Sequence, residues 1–266
     1  MKLSTKIIIA TLAAMGLTSL VGPMVLPVKD MGKDLALAGE ETEVECAPFS
    51  EIEVCDSIGF GVWLQIVESD SARSKATITA DRLIMNNITI SQTDGRLRVE
   101  FDCHTDTILR RRINFNLREQ LEGQYVTVAV PKGTLRKISS DCYKNRVEGL
   151  RADSITVDFR GRIIFSKSEV GVVNDVSVRQ NNADYEVILT DSTTFSRLNT
   201  GEPGLDLFSH GGSRFGEVYW TVDEAGKPNL NASAANVDVI YVQAPSDTIR
   251  STITLGTPYR TRIIER

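Results

Sequence analysis

The chain predicts an all-β protein built from short strands stacked in successive units, and three observations carry that prediction. Runs that alternate apolar and polar residues recur from Phe49 to Thr254, and a period of two is the mark of a half-buried strand. Between Ile138 and Leu198 the apolar anchors return at intervals of roughly 20 residues, a period typical of stacked coils. Helix signals are confined to two short stretches, Asp81 to Asn87 and Leu117 to Glu122, too short to form a helical layer.

The strands follow in order. Phe49-Ser50-Glu51-Ile52-Glu53-Val54 alternates, and Val62 to Val67 is more continuously apolar. Ala76 to Ala80 and Ile88 to Ile90 come next. Asp94-Gly95 then stands between Ile88-Thr89-Ile90-Ser91 and Leu97 to Phe101, and Asp-Gly between alternating runs predicts a tight hairpin. Tyr125 to Val130 stops at Pro131, which lacks a ladder donor. Leu135 to Ser140 opens the repeating region. Ile155 to Phe165, Val176 to Leu189, Phe195 to Thr200 with Leu205 to Phe208, Val237 to Val242, and Ile249 to Thr254 continue it. One such unit cannot bury its own apolar face, whereas stacked units share a core and pair strand to strand. The alternative is an antiparallel β-sandwich. That fold calls for hairpin turns between most strands, and the sequence offers one strong example.

Bulk composition narrows the classes. The chain has 266 residues, 41% of them hydrophobic and 24% charged, with a formal net charge of −5. That is enough apolar matter for a core. The acidic balance argues against nucleic acid, which needs a surplus of Lys and Arg. The run Arg110-Arg111-Arg112 reads as a solvated edge.

At the N-terminus Lys2 and Lys6 precede the uncharged run Ile7 to Val21, the layout of a secretory signal peptide. Two cuts fit, one near Gly22 and one after Ala36-Leu37-Ala38. If the apolar run is kept, it becomes an anchor, which would be this chain's one tie to a membrane. The reading divides the chain into a signal peptide and leader over 1–38, a linker over 39–47, a β domain over 48–258 and a tail over 259–266. Export to the periplasm or cell surface follows. An oxidising compartment makes Cys46, Cys55, Cys103 and Cys142 candidate disulfide cysteines, with three pairings open.

Several segments resemble a known family, the "putative auto-transporter adhesin, head GIN domain" proteins of Bacteroidetes envelopes. They are Phe49 to Val54, Val62 to Glu68, Ile88-Thr89-Ile90, Asp94 to Val99, Val126 to Pro131 and Leu135 to Ile138, then Leu150, Ile155, Val157 and Ile163. The resemblance covers about residues 47 to 258. The family's small Ser/Gly turn is replaced here by Asp141-Cys142-Tyr143, Phe159-Arg160-Gly161 and Asn181-Asn182-Ala183. The resemblance implies a right-handed parallel β-helix-like solenoid and an envelope location. It implies an adhesin-like, surface-binding role without an established activity.

No catalytic or metal-binding pattern emerges, and no cofactor is called for. His104 and His210 are the two histidines. His210 and Ser213 share a glycine-rich turn that lacks the surroundings of an activated nucleophile. The enzymatic alternative is a β-helix polysaccharide lyase or hydrolase using carboxylates in successive units. Asp141, Asp158, Asp175 and Asp184 are the candidates, with Asp153 and Asp191 less regular. Trp63, in an apolar strand, is expected in the core. Tyr219 and Trp220 are adjacent on a strand and therefore face opposite ways. They are the binding candidates, with a glycan or an envelope or extracellular protein as partner.

Overall fold

A computed structural model describes residues 40–55, 62–69, 75–86, 88–101, 124–178, 185–222, 228–244, 251–256 and 260–265. The chain divides into Met1–Glu40 and Glu41–Arg266, and the second unit is described here. The expected leader, Cys103, His104, Arg110 to Arg112, Asp184 and the helix expected at Leu117 to Glu122 lie outside the described residues.

Twenty strands are described. The first seven are β1 (Glu41–Cys46), β2 (Glu51–Cys55), β3 (Trp63–Ser69), β4 (Ala76–Asp81), β5 (Ile88–Thr93), β6 (Arg96–Phe101) and β7 (Tyr125–Pro131). Then follow β8 (Lys137–Ser140), β9 (Lys144–Glu148), β10 (Arg151–Phe159), β11 (Arg162–Ser166), β12 (Glu169–Val178), β13 (Tyr185–Thr190) and β14 (Thr194–Thr200). The last are β15 (Leu205–Ser209), β16 (Arg214–Thr221), β17 (Asn229–Ala234), β18 (Val237–Gln243), β19 (Thr252–Leu255) and β20 (Arg262–Glu265). One helical turn, α1 (Arg82–Met85), precedes β5.

The strands form two open, mixed sheets of ten strands each. The first runs β1-β4-β7-β3-β9-β11-β13-β15-β17-β19, and the second β20-β18-β16-β14-β12-β10-β8-β2-β6-β5. From β8 onward the chain alternates between the sheets, and each strand pairs in parallel with the strand two places later. Residues side by side on neighbouring strands are therefore far apart in sequence, 18 residues for Arg151 and Glu169 and 24 for Arg162 and Glu186.

The register stacks apolar residues in rows. In the second sheet Leu97, Ile52, Ile138, Val157 and Val176 lie abreast. In the first sheet Val128, Ile66, Val147, Phe165 and Leu189 do the same. All ten are buried and belong to one apolar cluster fed by both sheets. Burying such side chains contributes about 1.5–3 kcal/mol each. Phe195 sits edge-on to both Phe165 and Phe215, with centroids 4.9 and 5.8 Å apart.

At the N-terminal end the pairing turns antiparallel. Strand β4 pairs with β7, β1 with β4, and β5 with β6. The predicted Asp94-Gly95 hairpin joins β5 to β6, and both turn residues have positive φ, 51° and 74°, as a two-residue type I′ turn requires. The helical turn α1 buries Ile84 completely. Two boundaries differ from the sequence reading. Glu41–Cys46, expected in a linker, is a strand because β4 offers it an edge, and Arg262–Glu265, expected in the tail, pairs with β18. Neither partner is visible in local composition.

A ladder of buried hydroxyls marks the turns that lead into the second sheet. Leu150 donates its N–H to Ser168 Oγ (3.1 Å), Ser168 to Thr193 Oγ1 (3.1 Å), and Thr193 to Ser213 Oγ (3.0 Å). Ser168, Thr193 and Ser213 are all buried. The hydroxyls of Ser168 and Thr193 each satisfy a buried amide of the preceding unit, and Ser213 Oγ shares the Thr193 N–H with the Thr190 carbonyl at 3.2 Å. Asn145 is fully buried in the row Leu64–Asn145–Ile163. Its Nδ2 donates to the Cys142 carbonyl at 2.9 Å, while its Oδ1 has no hydrogen-bond partner.

Candidate functional site

Asp158 and Asp175, two of the carboxylates expected at matching places in successive units, do not share one column. Asp175 lies beside Thr156, and Asp158 beside Ser177. Burial pushes the Asp175 carboxyl above its ordinary range, and the charge of Asp158 adds to this. The Glu202 carboxyl is raised for the same first reason, with further contributions from Asp175 and Asp158, although it accepts the Val178 N–H at 3.0 Å. Asp191 serves its own turn. It accepts Ser166 Oγ–H at 2.7 Å and Thr190 Oγ1–H at 3.2 Å, and the Ser166 bond leads in lowering its pKa. Ser213 spends its hydroxyl on the ladder described above, and His210 is exposed on the adjoining turn. Among the described residues no three His, Cys, Asp or Glu side chains come together to hold a metal ion. Cys46, Cys55 and Cys142 carry buried thiols.

The tryptophans exchange the places read from the sequence. Trp220 is 0% exposed, and its Nε1–H donates to the Glu202 carbonyl at 3.3 Å. It therefore leaves the binding surface for which it was a candidate. Trp63 is half-buried on the outer face of the first sheet. It meets Tyr125 edge-on at 5.2 Å and carries Lys144 Nζ 3.9 Å above its ring. Alternation sets neighbours on opposite faces but does not say which face is inside.

Tyr219 points outward from the second sheet. Its row runs Asn199–Tyr219–Tyr241–Ile264 across β14, β16, β18 and β20. Tyr219 and Tyr241 stack, and the Arg197 guanidinium lies 4.6 Å from the centre of the Tyr219 ring. Arg197 also pairs with Glu217 at 3.1 Å. In-register parallel pairing produces this ladder, since the same parity on successive strands faces the same way. The result is a half-buried strip on the outer face with an aromatic middle and a charged flank, a composition found at recognition surfaces.

A second surface feature lies where β10, β12 and β14 begin. The register sets Asp153, Gly171 and Ser196 abreast. A Cβ on Gly171 would sit 2.5 Å from the Asp153 carbonyl oxygen, so only glycine fits there without a shift. The bare backbone forms part of a groove of about 410 Å³ lined also by Lys132, Gly133, Arg136, Arg151, Ala152 and Glu169.

No family model matches the chain, and no curated protein matches it. Solved structures do. A "putative adhesin" from Bacteroides fragilis superposes with a TM-score of 0.51 at 15% identity, over 86% of this chain and 99% of that one. The likeness is one of fold. A "putative adhesin" from Parabacteroides distasonis gives 0.33 at 14% identity, over 85% of this chain and 96% of its own. A "putative lipid binding protein" from the same organism gives 0.33 at 10% identity, with the same coverage. Among the described residues no helix is long and apolar enough to cross a membrane.

Proposed function

We propose that this chain is a non-catalytic, exported envelope protein that binds a glycan or an extracellular protein through the outer face of its second sheet. Tyr219 and Tyr241 are the anchors in this reading. The observation that carries it is the outward Arg197–Tyr219–Tyr241 ladder, which sets two stacked, half-buried tyrosines beside an exposed charged pair. We also infer that the two sheets are the walls of a single right-handed solenoid. The alternation of strands between sheets and the long run of parallel pairs support it. The fold likeness to the Bacteroides fragilis protein fits the same adhesin-like role.

The test is an array of glycans and matrix proteins probed with the protein from Gly39 onward, alongside a Tyr219→Ala/Tyr241→Ala variant shown by circular dichroism to keep the wild-type fold at the assay temperature. Binding that the wild type shows and the variant lacks supports the reading. Turnover of any polysaccharide, or binding indifferent to both tyrosines, overturns it. N-terminal sequencing of the mature protein tests export. A start near Gly22 or at Gly39 supports cleavage, and an intact Met1 in a membrane fraction points to the anchored form.

A further inference from the structure

The two ends of the sheets are built differently. The chain alternates between the sheets, so their last strands, β19 and β20, stand at the same end. Among the described residues each has one strand neighbour, β17 and β18 respectively. The outer edge of each is a row of backbone donors and acceptors open to pairing. The core rows also run out there. In the second sheet Ile155, Val173, Leu198, Val218 and Ile240 lie abreast, all 0% exposed, and the next member of the row, Ile263, is 45% exposed. In the first sheet Ala232 is buried, and its neighbour Leu255 is 38% exposed. Stacked units need a polar closing surface for solubility, and bare isoleucine and leucine do not supply one.

The opposite end is closed. Strand β1 carries Glu41, Glu43 and Glu45, and charge along an edge strand discourages pairing with another chain. The turn α1 packs against β1 and β5 and buries Ile84 completely. Head-to-tail stacking, sheet upon sheet, would lay the glutamates of β1 on β19, which has no charge to answer them. It would lay β5, also without charge, on β20 with its Arg262.

The C-terminal edge complements itself instead. Strand β20 reads Arg262-Ile263-Ile264-Glu265, a cation and a carboxylate at the ends of an apolar pair, all four exposed. Laid antiparallel on its own copy, the Arg262 end of each strand meets the Glu265 end of the other, with isoleucine against isoleucine between them. Laid parallel, like charges would meet, which is unfavourable. A two-fold axis perpendicular to the sheet generates the antiparallel pair, and an isologous contact of this kind closes at two copies.

We propose that the protein forms a two-fold symmetric dimer through this end. Strand β20 adds antiparallel to β20 of a second copy and covers Ile263, and Leu255 of β19 is brought toward the same interface. The contact does not depend on the binding role of the tyrosines, whose ladder stays open on the outer face of each copy.

Analytical ultracentrifugation of the full-length protein over a concentration series tests the proposal, with hydrogen exchange of the β20 amides measured across the same series. Ile263→Lys and Glu43→Lys are run beside the wild type, each checked by circular dichroism for an unchanged fold. The expected result is a reversible monomer–dimer equilibrium without larger species, and β20 exchange that slows as the dimer fills. Ile263→Lys sets two lysines across the axis and should raise the dissociation constant roughly tenfold or more, whereas Glu43→Lys should leave it unchanged. If Ile263→Lys loses the fold, the exchange series on the wild type decides alone. A monomer at every concentration, a dimer indifferent to a folded Ile263→Lys, or β20 exchange independent of concentration overturns the proposal. A series of larger oligomers that changes with Glu43→Lys assigns the contact to head-to-tail stacking and overturns the two-fold arrangement.

Discussion

Tyr219 and Tyr241 stand one strand apart on the outer face of the second sheet, ring centroids 4.4 Å apart and planes inclined by 22°. They are 22 residues apart in sequence and are brought together by the parallel register of β16 and β18. Stacked pairs of this kind contribute about 0.5–1.5 kcal/mol beyond their buried area. A double-mutant cycle with Tyr219→Ala and Tyr241→Ala, followed by urea unfolding, should return a coupling energy in that range. Strict additivity of the two substitutions would mean that the stack contributes nothing to stability.

The hydroxyl ladder should be sensitive at Thr193. Its Oγ1 accepts the Ser168 N–H and donates to the Thr190 carbonyl at 2.6 Å. Thr193→Val keeps the shape and removes both bonds, leaving a buried amide unsatisfied at a cost of about 1–3 kcal/mol. Thr193→Ser keeps the hydroxyl and loses one methyl group, costing less than about 1 kcal/mol. Unfolding midpoints that rank the two the other way would show that the methyl, not the hydroxyl, holds the turn.

Gly171→Ala should destabilise the protein by about 1–3 kcal/mol through overpacking. The contact partner is the Asp153 backbone, which cannot rotate away as a side chain would. Gly216 has the same relation to the Ser196 carbonyl at 2.7 Å, and Gly216→Ala should behave alike. Thermal melts of both variants unchanged from wild type would mean that the strands can separate there at no cost.

The raised carboxyls of Asp175 and Glu202 make a signed prediction about pH. A carboxyl whose pKa is higher folded than unfolded favours the folded state while protonated. That contribution is complete below the unfolded values, about 3.9 for Asp and 4.3 for Glu, and is lost as pH rises through the folded ones. Asp175→Asn and Glu202→Gln remove the ionisation and keep an acceptor. Relative to wild type, both should gain stability between pH 4 and pH 7, with little difference below about pH 3.5. Urea midpoints measured across that range check it, and a variant that loses stability as pH rises would reverse the sign.

Much of the strand framework was legible. The alternating runs at Ile52, Val54, Leu97 and Val99 became paired inner rows, and Asp94-Gly95 became the hairpin. Strand β9 was missed because Asn145 and Arg146 break the apolar alternation there, although Asn145 occupies an inner row. The candidate site was harder to read. Ser168, Thr193 and Ser213 look like ordinary turn residues, and only the amides of other units make them ladder members.

By itself the sequence determined that strands of this length would form and that Tyr219 and Trp220 would face opposite ways. Period-two alternation is a local property of extended backbone. The tertiary structure alone decided that Trp220 turns inward, that Trp63 turns outward and that Tyr219 meets Tyr241. Those outcomes depend on register between strands some 20 residues apart, and only the complete pairing of the sheets sets that register.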